Sequence, residues 1–166
     1  LAGSSFSIER KLNIPYGPSE AQKLDVWWES GQTNAPIIFM IHGGGWEAGD
    51  KCTYGNEIMA KLVADLGCAL VAPNYRLINS ADAPTAQDLV QDVWMALAWV
   101  REHADDFGMD KNRIITAGSS AGAHLSAAIA YGNQRPWLKG TPYAGQEKEI
   151  LSSVKGWYGD SSAIDL

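Results

Sequence analysis

The sequence predicts an α/β fold built on a doubly wound, mostly parallel sheet, and three features carry that expectation. Short apolar runs, Ile37-Ile38-Phe39-Met40-Ile41, Ala69-Leu70-Val71-Ala72-Pro73 and Ile114-Ile115-Thr116-Ala117, have strand length and little polar alternation, as strands covered on both faces do. Segments with apolar residues at helical spacing lie between them, so strands alternate with helices. The first and third runs end in glycine-rich turns, His42-Gly43-Gly44-Gly45-Trp46 and Gly118-Ser119-Ser120-Ala121-Gly122. A chain of 166 residues suits one domain and can bury a sizeable core.

Taken in order, Ile8 to Ile14 reads as a first strand ending at Pro15, and Tyr16-Gly17-Pro18-Ser19 has turn chemistry. Lys23-Leu24-Asp25-Val26-Trp27-Trp28 shows partial alternation and β-prone residues before the break at Gly31-Gln32-Thr33-Asn34. Pro36 to Ile41 is the first buried strand. Tyr54 to Leu66 places Ile58, Met59, Leu62, Val63 and Leu66 on one helical face, with Gly67 as the stop signal. After the strand Ala69–Pro73, Pro84-Thr85 opens a long helix whose Leu89, Val93, Ala96, Leu97 and Val100 recur at helical spacing. Asp88 and Asp92 lie one turn apart on it and read as a solvated or hydrogen-bonded flank rather than as an acid–base pair. Arg113 to Ala117 is the next strand, Ala121 to Ala130 a small-residue helix, and Val154 to Gly159 the last strand. There is no internal repeat or low-complexity segment.

Composition narrows the function classes. A formal net charge of −6 with modest charged content argues against nucleic acid or an anionic membrane as partner. No apolar run approaches the length of a transmembrane helix. Seven tryptophans either fill the core or line an acyl or aryl pocket. Cys52 and Cys68 form no disulfide framework and lack metal-site spacing, and sequence alone does not say whether they pair. The chain starts at Leu1 rather than Met, so an upstream segment is expected, a cleaved signal peptide or another piece. A secreted, periplasmic or cytoplasmic location stays open.

The chemistry lies in the two glycine turns. Strand, sharp turn and helix around Gly118-Ser119-Ser120-Ala121-Gly122 is the context of a nucleophile elbow. Glycine at both ends lets the backbone fold tightly, which puts Ser120 at the tip of the turn, at a helix N-terminus whose free N–H groups favour negative charge. Gly43-Gly44-Gly45 is costly to order and lets backbone N–H groups approach a ligand closely, as binding of an oxyanion requires. His42 could serve as a general base, but its place at a strand end beside the glycines favours a loop-ordering role.

The two motifs together resemble those of α/β-hydrolases, most closely the hormone-sensitive-lipase-like esterases and the related BD-FAE group of acetyl and feruloyl esterases. His42-Gly-Gly-Gly-Trp-Glu-Ala-Gly-Asp-Lys51 and Asn74-Tyr75-Arg76-Leu77 sharpen the resemblance, which runs from about Leu24 to the end of the chain. Kynurenine formamidases share much of the pattern. The resemblance implies that Ser120 attacks an ester carbonyl, that the N–H groups of Gly43, Gly44 and Ala121 hold the oxyanion, and that water releases the acid from an acyl-enzyme. It implies a small-molecule ester of short acyl chain, acetyl or feruloyl, as substrate, and neither metal nor organic cofactor.

The pattern departs from the family at the triad. In these hydrolases the order is serine, acid, histidine. After Ser120 the one histidine is His124, a helical turn into the helix leaving the elbow, where helix packing is its expected role. His103, near the end of the long helix, reads as a surface residue. Asp160 ends the last strand and is a candidate triad acid, although the esterases resembled here place theirs one strand later. Residues 1–166 are therefore expected to form the N-terminal part, about two-thirds, of a single α/β-hydrolase domain. A second chain or a further C-terminal segment of roughly 80–120 residues would bring the acid and the histidine. A serine esterase is the leading expectation, a kynurenine-formamidase-like amidohydrolase the second, and a catalytically inactive α/β-hydrolase-like binding protein the third.

Overall fold

The three apolar runs occupy the interior of a single six-stranded sheet. In the computed structural model, which describes residues 7–132 and 135–160, the strands are β1 (Ile8–Pro15), β2 (Lys23–Glu29), β3 (Ala35–Ile41), β4 (Ala69–Pro73), β5 (Met109–Ser119) and β6 (Val154–Asp160). Their order across the sheet is β1-β2-β4-β3-β5-β6. β3 runs parallel to β4 and β5, and β5 to β6, whereas β1–β2 and β2–β4 are antiparallel. The doubly wound, mostly parallel sheet is as the sequence predicts, and the antiparallel pairs gather at one end.

Among the described residues four α-helices flank the sheet: α1 (Asn56–Leu66), α2 (Ala86–Glu102), α3 (Ala121–Ala130) and α4 (Glu147–Ser153). Thr85 caps α2 in a reciprocal box. Its hydroxyl accepts from the Asp88 amide at 3.3 Å, and the Asp88 carboxylate accepts from the Thr85 amide at 2.7 Å. Asp92 is fully buried, where Arg76 and Gln22 both donate to it, so it is a hydrogen-bonded structural anchor. On one side of the sheet, Leu89, Val93, Trp94 and Leu97 of α2 and Leu125 and Ile129 of α3 pack on Ile37, Phe39, Ile41 and Val71. Met59 and Val63 of α1 cover Trp27 and Leu70 on the other side.

Three local expectations change. Ile58 and Leu66 are exposed, so the buried stripe of α1 is narrower than the helical spacing suggests. β5 starts at Met109 rather than Arg113, and α4 has no counterpart in the sequence pattern. Of the tryptophans, Trp27 and Trp94 are buried in the core, and the other five are partly exposed. Cys52 and Cys68 are both free, the former exposed and the latter buried. The outermost residues of the expected 1–166 unit lie outside those described.

β3 and β5 are parallel neighbours, so their C-terminal ends emerge on the same edge. Ile41 pairs with Gly118, which puts the start of one glycine turn beside the start of the other.

Candidate active site

Ser120 sits at φ 53°, ψ −121°, as the residue immediately before α3. A positive φ at a residue with a side chain costs ~1–3 kcal/mol and persists where the surroundings over-determine it. Here they do. The Ser120 amide donates to the Asp160 carbonyl at 2.8 Å, and the Ser120 carbonyl accepts from the His124 amide at 3.2 Å. A Cβ on Gly118 would lie 2.3 Å from the Gly122 backbone, and one on Gly122 would lie 2.1 Å from the Ile41 carbonyl oxygen. Both glycines are thus set by close backbone approach, and the second seats α3 against the end of β3. Ala121 opens α3, so its N–H belongs to the first turn, which has no partner inside the helix.

The other turn closes on this one. A Cβ on Gly43 would lie 2.7 Å from the Ser119 carbonyl oxygen and 3.3 Å from Ser120 Cβ, so the Gly43 backbone rests directly against the elbow. Gly44 has φ 123°, and a Cβ there would lie 2.0 Å from the Ala48 carbonyl oxygen. The Gly44 carbonyl accepts from the amides of Glu47 at 3.1 Å and Ala48 at 2.9 Å, folding the loop back on itself. Trp46 takes φ 60°, a left-handed conformation that the sequence does not reveal for a tryptophan. The four expected site residues, Ser120, Gly43, Gly44 and Ala121, are therefore brought to one place.

His42 is almost fully buried, stacked on Tyr75 with centroids 4.5 Å apart, and its Nδ1 lies 2.7 Å from the Gly43 carbonyl oxygen. A carbonyl only accepts, so Nδ1 carries the proton. Burial holds the imidazole below its usual pKa, against the opposing pull of the Gly43 carbonyl, Asp50 and Asn74. The Tyr75 hydroxyl donates to the His42 carbonyl at 3.0 Å. Packed in this way, His42 orders the loop.

The other candidates lie further apart. His124 is exposed, with Trp46 edge-on at 5.5 Å, so the expected helix packing is not found; the α3 residues that pack inward are Ala121, Gly122, Ala123, Leu125, Ser126 and Ile129. His103 caps α2 and stacks on Trp99 at 4.2 Å. Asp160 meets the elbow through its backbone carbonyl. Its side chain is exposed beside a cavity of about 250 Å³ lined by Met40, Tyr54, Leu62, Ser119 and Tyr158. Partial burial and then the Asp160 charge raise the Tyr54 phenol. A second apolar cavity of about 210 Å³ lies between Trp46, Ile78, Leu89, His124 and Leu125. Neither cavity was legible in the sequence, because their walls come from segments far apart in the chain. Among the described residues no cluster of three or more His, Cys, Asp or Glu is arranged to hold a metal, and no helix is long and apolar enough to cross a membrane.

Residues 24–165 match the BD-FAE family model. The chain is 33% identical over 151 residues to esterase LipC of Mycobacterium tuberculosis, covering 90% of this chain and 36% of LipC. It is 38% identical over 122 residues to the probable carboxylic ester hydrolase LipM of the same organism, covering 71% of this chain and 27% of LipM. Among solved structures, a truncated carbohydrate esterase from gut microbiota superimposes with a TM-score of 0.67 at 29% identity, over 80% of this chain and 46% of that one. The fold is that of the α/β-hydrolase esterases. The chain spans about a third of the length of the curated relatives it matches.

Proposed function

The chain belongs to the BD-FAE family, and on that premise we propose that it carries the nucleophile-bearing part of a serine carboxylic-ester hydrolase. The observation that carries this reading is the close approach of Gly43 to the elbow, where a Cβ on Gly43 would lie 3.3 Å from the Cβ of a Ser120 held at φ 53°. A strained serine at the tip of a strand–helix turn, with a glycine loop against it, suits attack on a carbonyl whose oxygen then meets backbone donors.

Ser120 Oγ forms a bond to the ester carbonyl carbon, and the π pair moves onto oxygen. The N–H groups of Gly43, Gly44 and Ala121 stabilise that oxyanion. When the pair returns, the bond to the alcohol oxygen breaks, and the proton taken from Ser120 goes to the departing alkoxide. Water then repeats the sequence on the acyl-enzyme, giving the carboxylic acid and free serine. A base must carry the proton in both halves. His42 is committed to its loop, His103 to the end of α2, and His124 lies exposed against Trp46. On this reading residues outside 1–166, in the same chain or in a second one, supply the histidine and its acid, with Asp160 kept as the alternative acid.

The two cavities, about 250 and 210 Å³, are smaller than the ~300–1,000 Å³ of drug-sized ligand sites. Neither is lined by Ser120, Gly43, Gly44 or Ala121, so the reading of short acyl esters, acetyl foremost and feruloyl next, rests on the family. The test is labelling of the intact protein by a fluorophosphonate, together with its hydrolysis of acetyl, butyryl and long-chain aryl esters. Fast labelling at Ser120 and a preference for the two short chains are expected. Absence of labelling would mark a binding protein, and faster turnover of N-formylkynurenine than of any ester would mark an amidohydrolase.

A further inference from the structure

Behind the glycine loop lies a buried charged cluster that the reaction does not use. Lys51 Nζ is 3.1 Å from Asp25 Oδ2, with the two side chains only 9% and 4% exposed. The same Nζ donates to Asn13 Oδ1 at 2.8 Å, and the Asn13 amide donates to Asp25 Oδ1 at 2.7 Å, closing a triangle between β1, β2 and the loop after β3. Asn13 reaches this position at φ 58°, at the irregularity where the β1–β2 register shifts between Lys11 and Ile14. The Lys51 amide donates to Asn74 Oδ1 at 2.7 Å, Asn74 Nδ2 donates to Asp50 Oδ2 at 2.7 Å, and the Asn74 amide donates to the Lys23 carbonyl at 2.8 Å.

Desolvating two charges costs several kcal/mol per ion, and apolar side chains of similar volume often serve stability as well or better. Stability is therefore a weak reason for this pair, and fixing one geometry is a stronger one. The geometry it fixes is plain from the contacts. Two residues before Lys51, a Cβ on Gly49 would lie 2.3 Å from the Gly43 carbonyl oxygen and 2.5 Å from His42 Nδ1. A Cβ on Gly43 would in turn lie 3.3 Å from Ser120 Cβ. Closely packed contacts thus run from Gly49, next to the Asp50–Lys51 anchor, to the face of the elbow, and packed contacts of this kind transmit displacement rather than absorb it.

We propose that Lys51, held by Asp25 and Asn13, is a positioning residue that sets the glycine loop's N–H donors against the oxyanion formed at Ser120. This rests on the oxyanion-hole reading of Gly43 and Gly44. The test compares the intact wild-type protein with the double variant Lys51→Met/Asp25→Asn, which removes both charges and leaves an acceptor for the Asn13 amide. Turnover of an aryl acetate is normalised to the Ser120 sites titrated by a fluorophosphonate. We expect kcat per titrated site to fall about tenfold or more with KM within about twofold. Affinity for an aryl trifluoromethyl ketone, whose serine adduct bears the same oxyanion, should fall in parallel. If kcat per site is unchanged, or only KM moves, the pair has no positioning role and the proposal is wrong. Should the double variant not fold, Asn13→Gly is read the same way. It suits the positive φ and removes one acceptor from Lys51, so kcat should fall about threefold or more, and an unchanged kcat overturns the proposal. Ser120→Ala is assayed alongside. Full turnover without Ser120 would refute the functional reading itself, whereas a dead Ser120→Ala beside a fully active double variant refutes only the positioning role.

Discussion

Ser120 and Ser119 are neighbours of the same type in different backbone states, and the difference makes a prediction. Only Ser120 holds a positive φ at the tip of the turn; Ser119 closes β5. Ser120→Ala should remove essentially all aryl-ester turnover with little change in melting temperature, while Ser119→Ala should keep most of it; the reverse result would move the nucleophile. Gly44→Ala places a Cβ 2.0 Å from the Ala48 carbonyl oxygen at φ 123°, so the loop must shift. A fall in kcat of about a hundredfold is expected, larger than any rise in KM, because an oxyanion donor acts on the transition state. His42 gives a pH signature. Burial, opposed by the Gly43 carbonyl, Asp50 and Asn74, holds its pKa below 6.5 in the folded protein. The unfolded chain then binds the extra proton first. The stability tied to the neutral ring is complete above about 6.5 and is lost as pH falls through the lowered value. Melting temperature should drop from pH 7 to pH 5, and less steeply in His42→Gln. Equal slopes would remove His42 from the account.

Elements meet at the site through glycines, and this much was legible in the sequence. The apolar runs of β3 and β5, each ending in a glycine turn, place both motifs on one sheet edge once the strands are parallel neighbours. Gly118→Ala and Gly122→Ala should each cost about 2–4 kcal/mol, because the new Cβ would lie 2.3 and 2.1 Å from backbone atoms. Chemical denaturation should show both midpoints well below that of Gly45→Ala, where nothing lies within 4 Å of a Cβ and the strain is that of φ 59° alone. What escaped the sequence has physical reasons. α4 is seven residues long, too short for a period to show. Ile58 and Leu66 fit the helical spacing of α1 yet stay exposed, since a pattern shows a face without showing what covers it. Lys51 and Asp25 look like ordinary surface charges until the bulged β1 brings Asn13 to them.

At the scale of the molecule, the two edges of the described sheet differ. β1 carries Glu9, Arg10 and Lys11 as exposed charges, a register irregularity, and Pro15 at its end, all features that discourage further pairing. β6 offers Val154-Lys155-Gly156-Trp157-Tyr158-Gly159-Asp160, with one cation and a tyrosine 65% exposed. Beside it, Ile115 is 40% exposed on a strand whose parallel pairing is typical of sheets covered on both faces. The same side of the site is where the sequence left the triad unresolved: the nucleophile and the glycine loop follow from residue types and spacing, but a base is recognised by position, and none of the three histidines has a sequence context that makes it that base. Residues 1–166 expressed by themselves should therefore self-associate through the β6 side and turn over aryl esters poorly. Light scattering on a size-exclusion column should show oligomers, and Ile115→Lys/Tyr158→Lys should shift them toward monomer without restoring turnover. Monomeric, fully active wild-type protein of residues 1–166 would be the opposite result. It would place the base within these residues and return His124 and Asp160 to the triad.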